Sequence, residues 1–334
     1  MTWIEEFTNM LFPVNVKELN IEGAYMLKHG HLPKSIFKYR AVNQYSLQNL
    51  EEDTIWLADP KSFNDPYDCA HTFDYEFIAK SRDHEYIKNF LDSEHNNLSL
   101  SKIKQNEILQ SHEPLKALFD YLLKDEEAEK KEGIELVFLE IQKKMSEDFI
   151  KTSSISFSSS FKLCSFSEIN DSLLMWAHYA DYHKGFCIEY DIENIPYSDY
   201  RRRFLYPVIY SDSMFDATEH FMQDAKSENF NSLHLIKAGL VKAKDWTYEK
   251  EWRLIFSSGT LAQEQSYYMG KPKAVFLGTR ISESNQEKLV QICERKKIPL
   301  YKMKSDTNKF LLEATTLQDA KQHFFNTNKK VPTS

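Results

Sequence analysis

The polar residues of one stretch, Leu163–Asp191 (LCSFSEINDSLLMWAHYADYHKGFCIEYD), are the first candidates for chemistry. It gathers Ser165, Ser167, Trp176, His178, Tyr179 and His183, a density of hydroxyl, imidazole and aromatic groups that a purely structural unit of this size rarely carries. Cys164, His178, His183 and Cys187 have the chemistry of a zinc set. The two histidines are five apart, however, where ligands on one helix face sit four apart, so no metal is expected there. A second cluster lies in Asp59–Asp68 (DPKSFNDPYD). Its Asn64, Asp65 and Asp68 either build a rigid turn or line a site and hold substrate hydroxyls, since positioned polar groups usually act from loops. Asp65, Asp68 and His178 around a divalent metal would make a hydrolase or nuclease, although this set has no defined metal spacing. A third group is Glu249, Glu251 and Arg253, which alternation puts on one face of a strand. In the simplest reading the last two form ion pairs on a solvated surface, worth roughly 0–1 kcal/mol each.

These groups need elements to hold them, and the sequence marks several. Leu163–Ser167 reads as a strand. Asn170 or Asp171 is the expected N-cap of a helix whose Leu173, Trp176, Ala177 and Ala180 repeat at helical spacing, and Gly185 is its expected left-handed C-cap. Phe186–Tyr190 follows as a strand. Upstream, Ile36–Arg40 is a strand with Phe37 and Tyr39 on one face and Lys38 and Arg40 on the other. Asn43 caps a short helix carrying Tyr45, Leu47 and Leu50, and Thr54–Ala58 is a further strand. Residues 74–151 are rich in Lys, Glu, Asp and Asn. There Ile134, Val137, Phe138, Ile141 and Met145 predict an amphipathic helix, and Leu115, Leu118, Phe119 and Leu122 another. Ser153–Ser160 reads as a loop. Arg201–Arg203 could meet phosphate but reads more simply as an exposed strand start. Downstream, Leu233, Ile236, Leu240 and Ala243 predict a helix. Strands are expected at 204–211, 251–257, 274–278 and 299–303, and helices over Glu287–Lys296 and Thr316–Phe324.

The fold class expected from this order is α+β: a mixed, largely antiparallel sheet with packed helices. Residues 1–73 and 152–334 would form the core and 74–151 a helical insertion. The 334 residues are 42% hydrophobic with 23 Phe, 18 Tyr and 5 Trp, ample for a packed core. Eight glycines and no GxGxxG or GxxxxGK[ST] leave a Rossmann or P-loop phosphate cradle without support. A net charge of -8 argues against broad nonspecific duplex binding. Four scattered cysteines without a CxxC, and no charged-then-apolar leader, fit a cytoplasmic protein with free thiols. No apolar run reaches the length of a membrane span.

Three segments, FKYRAVNQYSLQNLEEDTIWLADPKSFNDPYDC, LCSFSEINDSLLMWAHYADYHKGFCIEYD and WTYEKEWRLIF with AVFLGTRIS, together resemble a bacterial family known as domain of unknown function 2971. The resemblance covers most of the chain outside 74–151. It implies little chemistry, but such genes are often met in phage defence, which points to a toxin or defence effector. A looser resemblance supplies a reaction. ADP-ribosyltransferases of the arginine–serine–glutamate type carry an Arg on the first core strand, Ser-x-Ser on a later one and Glu-x-Glu on a third. Arg40, Ser165-Phe166-Ser167 and Glu249-Lys250-Glu251 match in that order. The gap between the last two is longer than usual, and the aromatic turn loop before the glutamates is not recognisable. This resemblance implies NAD as substrate and a nucleic acid or protein as acceptor. Glu251 would stabilise the oxocarbenium-like ribose, and Glu249 would orient the acceptor or take its proton. Arg40 would hold a pyrophosphate oxygen pair, Ser165 would position the ribose or the glutamate, Tyr179 or Trp176 would stack on the nicotinamide, and Ser167 and His178 would join them in binding the cofactor. The alternatives are a binding or sensor module without catalysis, and the metal-dependent hydrolase.

Overall fold

The structure, a computed structural model, describes residues 2–93, 100–158, 160–223, 226–257 and 265–317. Its centre is an eight-stranded sheet built from β1 (Ser35–Arg40), β2 (Phe161–Ser167), β3 (Phe186–Asp191), β4 (Leu205–Pro207), β5 (Glu251–Ser257), β6 (Ala274–Leu277), β7 (Leu300–Ser305) and β8 (Leu312–Thr316). The strand order is β8-β7-β6-β3-β1-β2-β5-β4. Only β6 and β7 run parallel among these neighbours; the other pairs are antiparallel. The expected α+β class with a mixed, largely antiparallel sheet is therefore what the chain forms. β1, β2 and β5 lie side by side near its middle, although 120 residues of sequence separate the end of β1 from the start of β2.

Both faces of the sheet are covered, so its central strands are buried on both sides. On one face Ile36, Phe166, Ile188, Tyr190, Trp252, Leu254, Val275 and Leu277 pack beneath helices α3 (Gln44–Glu52) and α11 (Glu283–Lys296). The opposite face carries two separate apolar clusters. One joins Leu163, Ile255 and Tyr206 to the N-terminal helices α1 (Trp3–Leu11) and α2 (Ile21–His31). The other packs Tyr39, Cys187 and Phe276 under α8 (Leu173–Tyr179). Between these two clusters the same sheet face turns polar.

The stretch expected to be a helical insertion holds α4 (Tyr75–Asp92), α5 (Lys102–Leu109), α6 (Pro114–Leu122) and the long α7 (Ala128–Ser158), which runs past the expected boundary at 151. Among the described residues Ile87, Leu91, Leu100, Ile108 and Leu118 form a small buried core there. The expected amphipathic helix exists, but Val137, Ile141 and Met145 on it are more than half exposed instead of packed. Two short helices complete the set, α9 (Tyr200–Arg203) and α10 (Thr218–Met222).

Several local expectations are corrected. The N-cap of α8 is Ser172, whose hydroxyl accepts from Met175 N–H, and not Asn170 or Asp171. Gly185 is not a left-handed cap. Asp181, Tyr182 and His183 take the positive φ values (47, 54 and 68°), and Gly185 is needed for close approach: a Cβ there would lie 2.1 Å from the Arg40 carbonyl. Thr54–Trp56 pairs with Ser266–Tyr268 outside the main sheet. Residues 204–211 split into β4 and a short strand Ile209–Ser211 that pairs with Val241–Ala243. His234–Leu240 is a 3-10 helix, and Arg201–Arg203 form a helical turn instead of a strand start. α7 continues through Ser153–Ser158, where a loop was expected. Thr316 ends β8, and the rest of the helix expected to follow it lies outside the described residues from 318 onward.

Candidate functional site

Register builds the site. β2 pairs with β5 so that Ser165 faces Arg253 and Ser167 faces Glu251, and Ser167 also faces Phe37 of β1. Directly opposed residues share a face. Ser165, Ser167, Glu251 and Arg253 therefore stand together in the gap between the two apolar clusters. A cavity of about 180 Å³ opens above them, walled by Phe37, Tyr39, Phe63, Met175 and Tyr179 and edged by Asn64, Asp68, Lys38, Lys242, Glu249 and Glu251.

Arg253 is fully buried, so every donor of its guanidinium needs a partner. Nε donates to Glu251 Oε1 at 2.8 Å, Nη1 to the Gly239 carbonyl and Cys69 Sγ, and Nη2 to both Asp68 oxygens at 2.7 and 2.9 Å. Lys242 donates to Glu251 Oε2 at 2.8 Å and to Glu249 Oε2 at 2.5 Å, with Asp68 at 3.5 Å. The second oxygen of Glu249 accepts the Tyr179 hydroxyl at 2.5 Å. Glu251's backbone N–H donates to the Tyr210 hydroxyl.

This arrangement drives the two carboxyls apart. Burial pushes both upward. For Glu251 the adjacent Arg253 and then Lys242 more than reverse this and hold it well below the usual carboxylate range. For Glu249 burial comes first and the Glu251 charge adds to it, so its carboxyl is raised despite Lys242. Burial and then Glu249 push the Tyr179 phenol up as well. For Lys242 burial is the largest influence and acts downward, but Glu251 and Asp68 carry it up to about 12. At neutral pH one carboxylate is locked ionised and its neighbour is the readier to hold a proton.

The structure brings together many of the residues singled out from the sequence. Glu249, Glu251, Ser165, Ser167 and Tyr179 all border the cavity. Glu249 itself precedes the strand: Lys250 is left-handed (φ 44°), and a 3-10 turn over Lys244–Glu249 delivers the carboxyl to Lys242. The Glu251–Arg253 pair is buried, not solvated. Ser167's hydroxyl donates to the Glu249 carbonyl at 2.6 Å and accepts from Ile169 N–H, so it anchors the glutamate segment. Asp68 belongs to the network, whereas Asp65 closes a turn onto Tyr67 N–H and accepts from the Trp246 indole.

Three placements differ from expectation. Arg40 does not converge with Ser165 and Glu251. It pairs with Phe186, whose side chain belongs to the apolar cluster of the opposite face, and its guanidinium donates to Asn49. Trp176 is fully buried, donates its indole N–H to the Asn170 carbonyl and meets Tyr39 edge-on, so no face is left for a ligand. His178 is exposed beside Tyr248 and outside the cavity lining. Cys164 and Cys187 lie on opposite faces of the sheet, and among the described residues no cluster of three or more His, Cys, Asp or Glu is arranged to hold a metal. All four cysteines are buried free thiols.

Two cavity cations escaped the sequence reading. Lys242 lies on a short strand of another sheet, with no periodicity that ties it to Glu249 and Glu251. Lys38 reads as the polar side of β1, yet its ammonium donates to the Ser165 carbonyl at 2.7 Å and borders the cavity.

What these features define is an α+β protein with a small cavity floored by a buried carboxylate–cation network. Residues 175–254 match a family model described as "Protein of unknown function (DUF2971)". The matched stretch carries Tyr179, Lys242, Glu249, Glu251 and Arg253, so most of the network falls inside it. No curated protein and no solved structure matches the chain. Among the described residues no helix is long and apolar enough to cross a membrane.

Proposed function

We propose that this chain is an ADP-ribosyltransferase-like enzyme that takes NAD as substrate and transfers its ADP-ribose to a nucleic acid or protein. One observation carries the reading: the Ser-x-Ser motif on β2 meets the Glu-x-Glu motif where the chain enters β5, and there one carboxyl is held ionised and the other raised. Pairs of titratable groups pushed apart in this way are what divided acid–base roles require. The volume of the cavity, about 180 Å³, is below the roughly 300–1,000 Å³ of a drug-sized pocket, so it is too small to enclose a whole dinucleotide, and in this reading the adenosine lies outside it.

In this reading the bond between the nicotinamide nitrogen and ribose C1′ breaks. Nicotinamide leaves as a neutral base with the electron pair, and positive charge develops on the ribose. Glu251, fixed by Arg253 and Lys242, needs no reorganisation to stabilise that charge. The acceptor's oxygen or nitrogen bonds C1′ and gives its proton to Glu249, whose raised basicity suits it to that task. Tyr179 orients Glu249 through its hydroxyl, and Ser167 fixes the Glu249 main chain.

A second reading is favoured by one fact: both oxygens of Glu251 already accept from Arg253 and Lys242, as in a binding module whose charges are purely architectural. Incubation with NAD separates the two. The enzyme reading expects nicotinamide release that Glu251→Gln abolishes. NAD binding by thermal shift without release supports the binding module, and neither binding nor release rejects the enzyme reading.

A further inference from the structure

We infer that Lys38 is the residue through which the cavity grips an anionic oxygen of its ligand, which on the reading just proposed is a pyrophosphate oxygen of NAD. The Lys242 ammonium has three protons and three carboxylates around it: Glu249, Glu251 and, at 3.5 Å, Asp68. Arg253 behind it is committed at every nitrogen to Glu251, Gly239, Cys69 and Asp68. Neither cation has a hydrogen to offer a ligand without breaking the network. Lys38 differs. Its ammonium donates to one backbone oxygen, Ser165 O at 2.7 Å, and lies 5.7 Å from the centre of the Phe166 ring. Two of its three protons remain for a ligand.

The position follows from the sheet. β1 pairs with β3 over all six residues, but with β2 through Phe37 and Ser167 only. Beyond that pair the two strands part. By alternation Lys38 stands with Ile36 and Arg40, and the opening lets its long chain reach the cavity wall, where the Ser165 carbonyl anchors it. Arg40 has no such route: it lies at the end of the strand, on the opposite face, against Asn49. The excess of carboxylates at the cavity floor makes an anion unwelcome there and leaves the Lys38 edge as the place where a phosphate meets positive charge. Lysine binds phosphate as a point charge, without a planar fork.

The test uses the full chain and three probes: ADP-ribose, inorganic pyrophosphate and nicotinamide. Lys38→Ala is expected to weaken ADP-ribose and pyrophosphate about tenfold to a hundredfold, the range of a hydrogen bond to a charged group, and to leave nicotinamide unchanged. Lys38→Arg restores most of the loss, and Arg40→Gln changes none of the three. In turnover, Lys38→Ala raises KM for NAD with little change in kcat. A merely structural role at the Ser165 carbonyl would lower thermal stability and weaken all three probes alike. That result, or unchanged pyrophosphate binding in folded Lys38→Ala, overturns the inference, as does a wild type that binds no phosphate-bearing probe. A wild type that binds pyrophosphate through Lys38 but neither binds nor cleaves NAD keeps the inference and removes the NAD reading.

Discussion

The cleft between β1, β2 and β5 and the insertion α4–α7 are both rich in charge, and they use it in opposite ways. In the cleft the paired side chains of Asp68, Lys242, Glu249, Glu251 and Arg253 are between 0 and 8% exposed. On the insertion the pairs Lys116–Glu135, Lys130–Glu126 and Lys131–Asp120 are 38 to 61% exposed. Burial is the difference that matters. A charge removed from water must be bonded on every side, so each cleft residue depends on the next. A charge left in water depends on nothing. The apolar residues show the same contrast. The sheet buries its hydrophobic side chains on both faces, whereas α7 leaves Leu136, Val137, Leu139, Ile141 and Met145 largely exposed. A groove of about 640 Å³ runs between α4, α6 and α7, lined by Phe119, Ile134, Phe138 and Met145. The cleft is polar, buried and hydrogen-bonded throughout; the helices α4–α7 are thinly cored.

The contrast can be broken by mutation, and the largest effect is expected in the cleft. Arg253→Met leaves Glu251 and Asp68 buried without their guanidinium and should cost about 3–5 kcal/mol in denaturant unfolding. A loss below about 1 kcal/mol would mean that the network is solvated after all.

The next effect lies on α10, where His220 is buried against Phe230 and His234. Burial there, with His234 adding to it, lowers the His220 imidazole to about 4. The unfolded chain takes this proton near the ordinary histidine pKa of about 6.5, while the native chain refuses it until about 4. The unfolded state thus binds more protons between those values, and stability falls as pH drops through that window. His220→Phe should flatten this acid limb by on the order of 1–3 kcal/mol. An unchanged pH dependence of unfolding would show that the proton is taken up elsewhere.

Glu249→Gln sharpens the comparison inside the cleft. In the proposed reaction it removes the proton acceptor but not the ionised partner, so on that reading transfer to the acceptor should fall further than release of nicotinamide. The wild-type transfer rate should also decline with acidity at a pH above the ordinary glutamate range, because the base acts only when deprotonated and its carboxyl is raised. Equal losses of transfer and release would assign Glu249 a role in bond cleavage instead. The smallest effect belongs to the insertion: Lys131→Ala should change stability by about 0–1 kcal/mol.

How much of this was legible follows from the same contrast. Strand alternation and turn chemistry revealed β1, β2, β3 and β5 and both the Ser-x-Ser and Glu-x-Glu motifs, because these signals are local. Asn43 was readable as the cap of α3 for the same reason, and its side chain does accept from Ser46 N–H. Which face of β1 looks into the cleft was not readable. Ile36 on one side and Phe37 and Tyr39 on the other are all apolar, as in any strand buried on both faces, and one residue of parity decides where Arg40 goes. Lys242 was invisible because its link to Glu249 and Glu251 is made only by tertiary structure. The helical spacing of Val137, Ile141 and Met145 correctly gave a helix, but periodicity alone does not say that a partner surface is present to cover it.

The most direct measurement is a carbon-detected NMR titration of the glutamate side-chain carboxyls, with Glu249→Gln and Glu251→Gln used to assign the two signals. The expected result is one carboxyl, Glu249, that titrates above the usual glutamate range and another, Glu251, still ionised at the lowest pH at which the protein stays folded. Two ordinary, superimposable titrations would contradict the account, because a cleft that does not separate its carboxylates has no divided labour to offer a reaction.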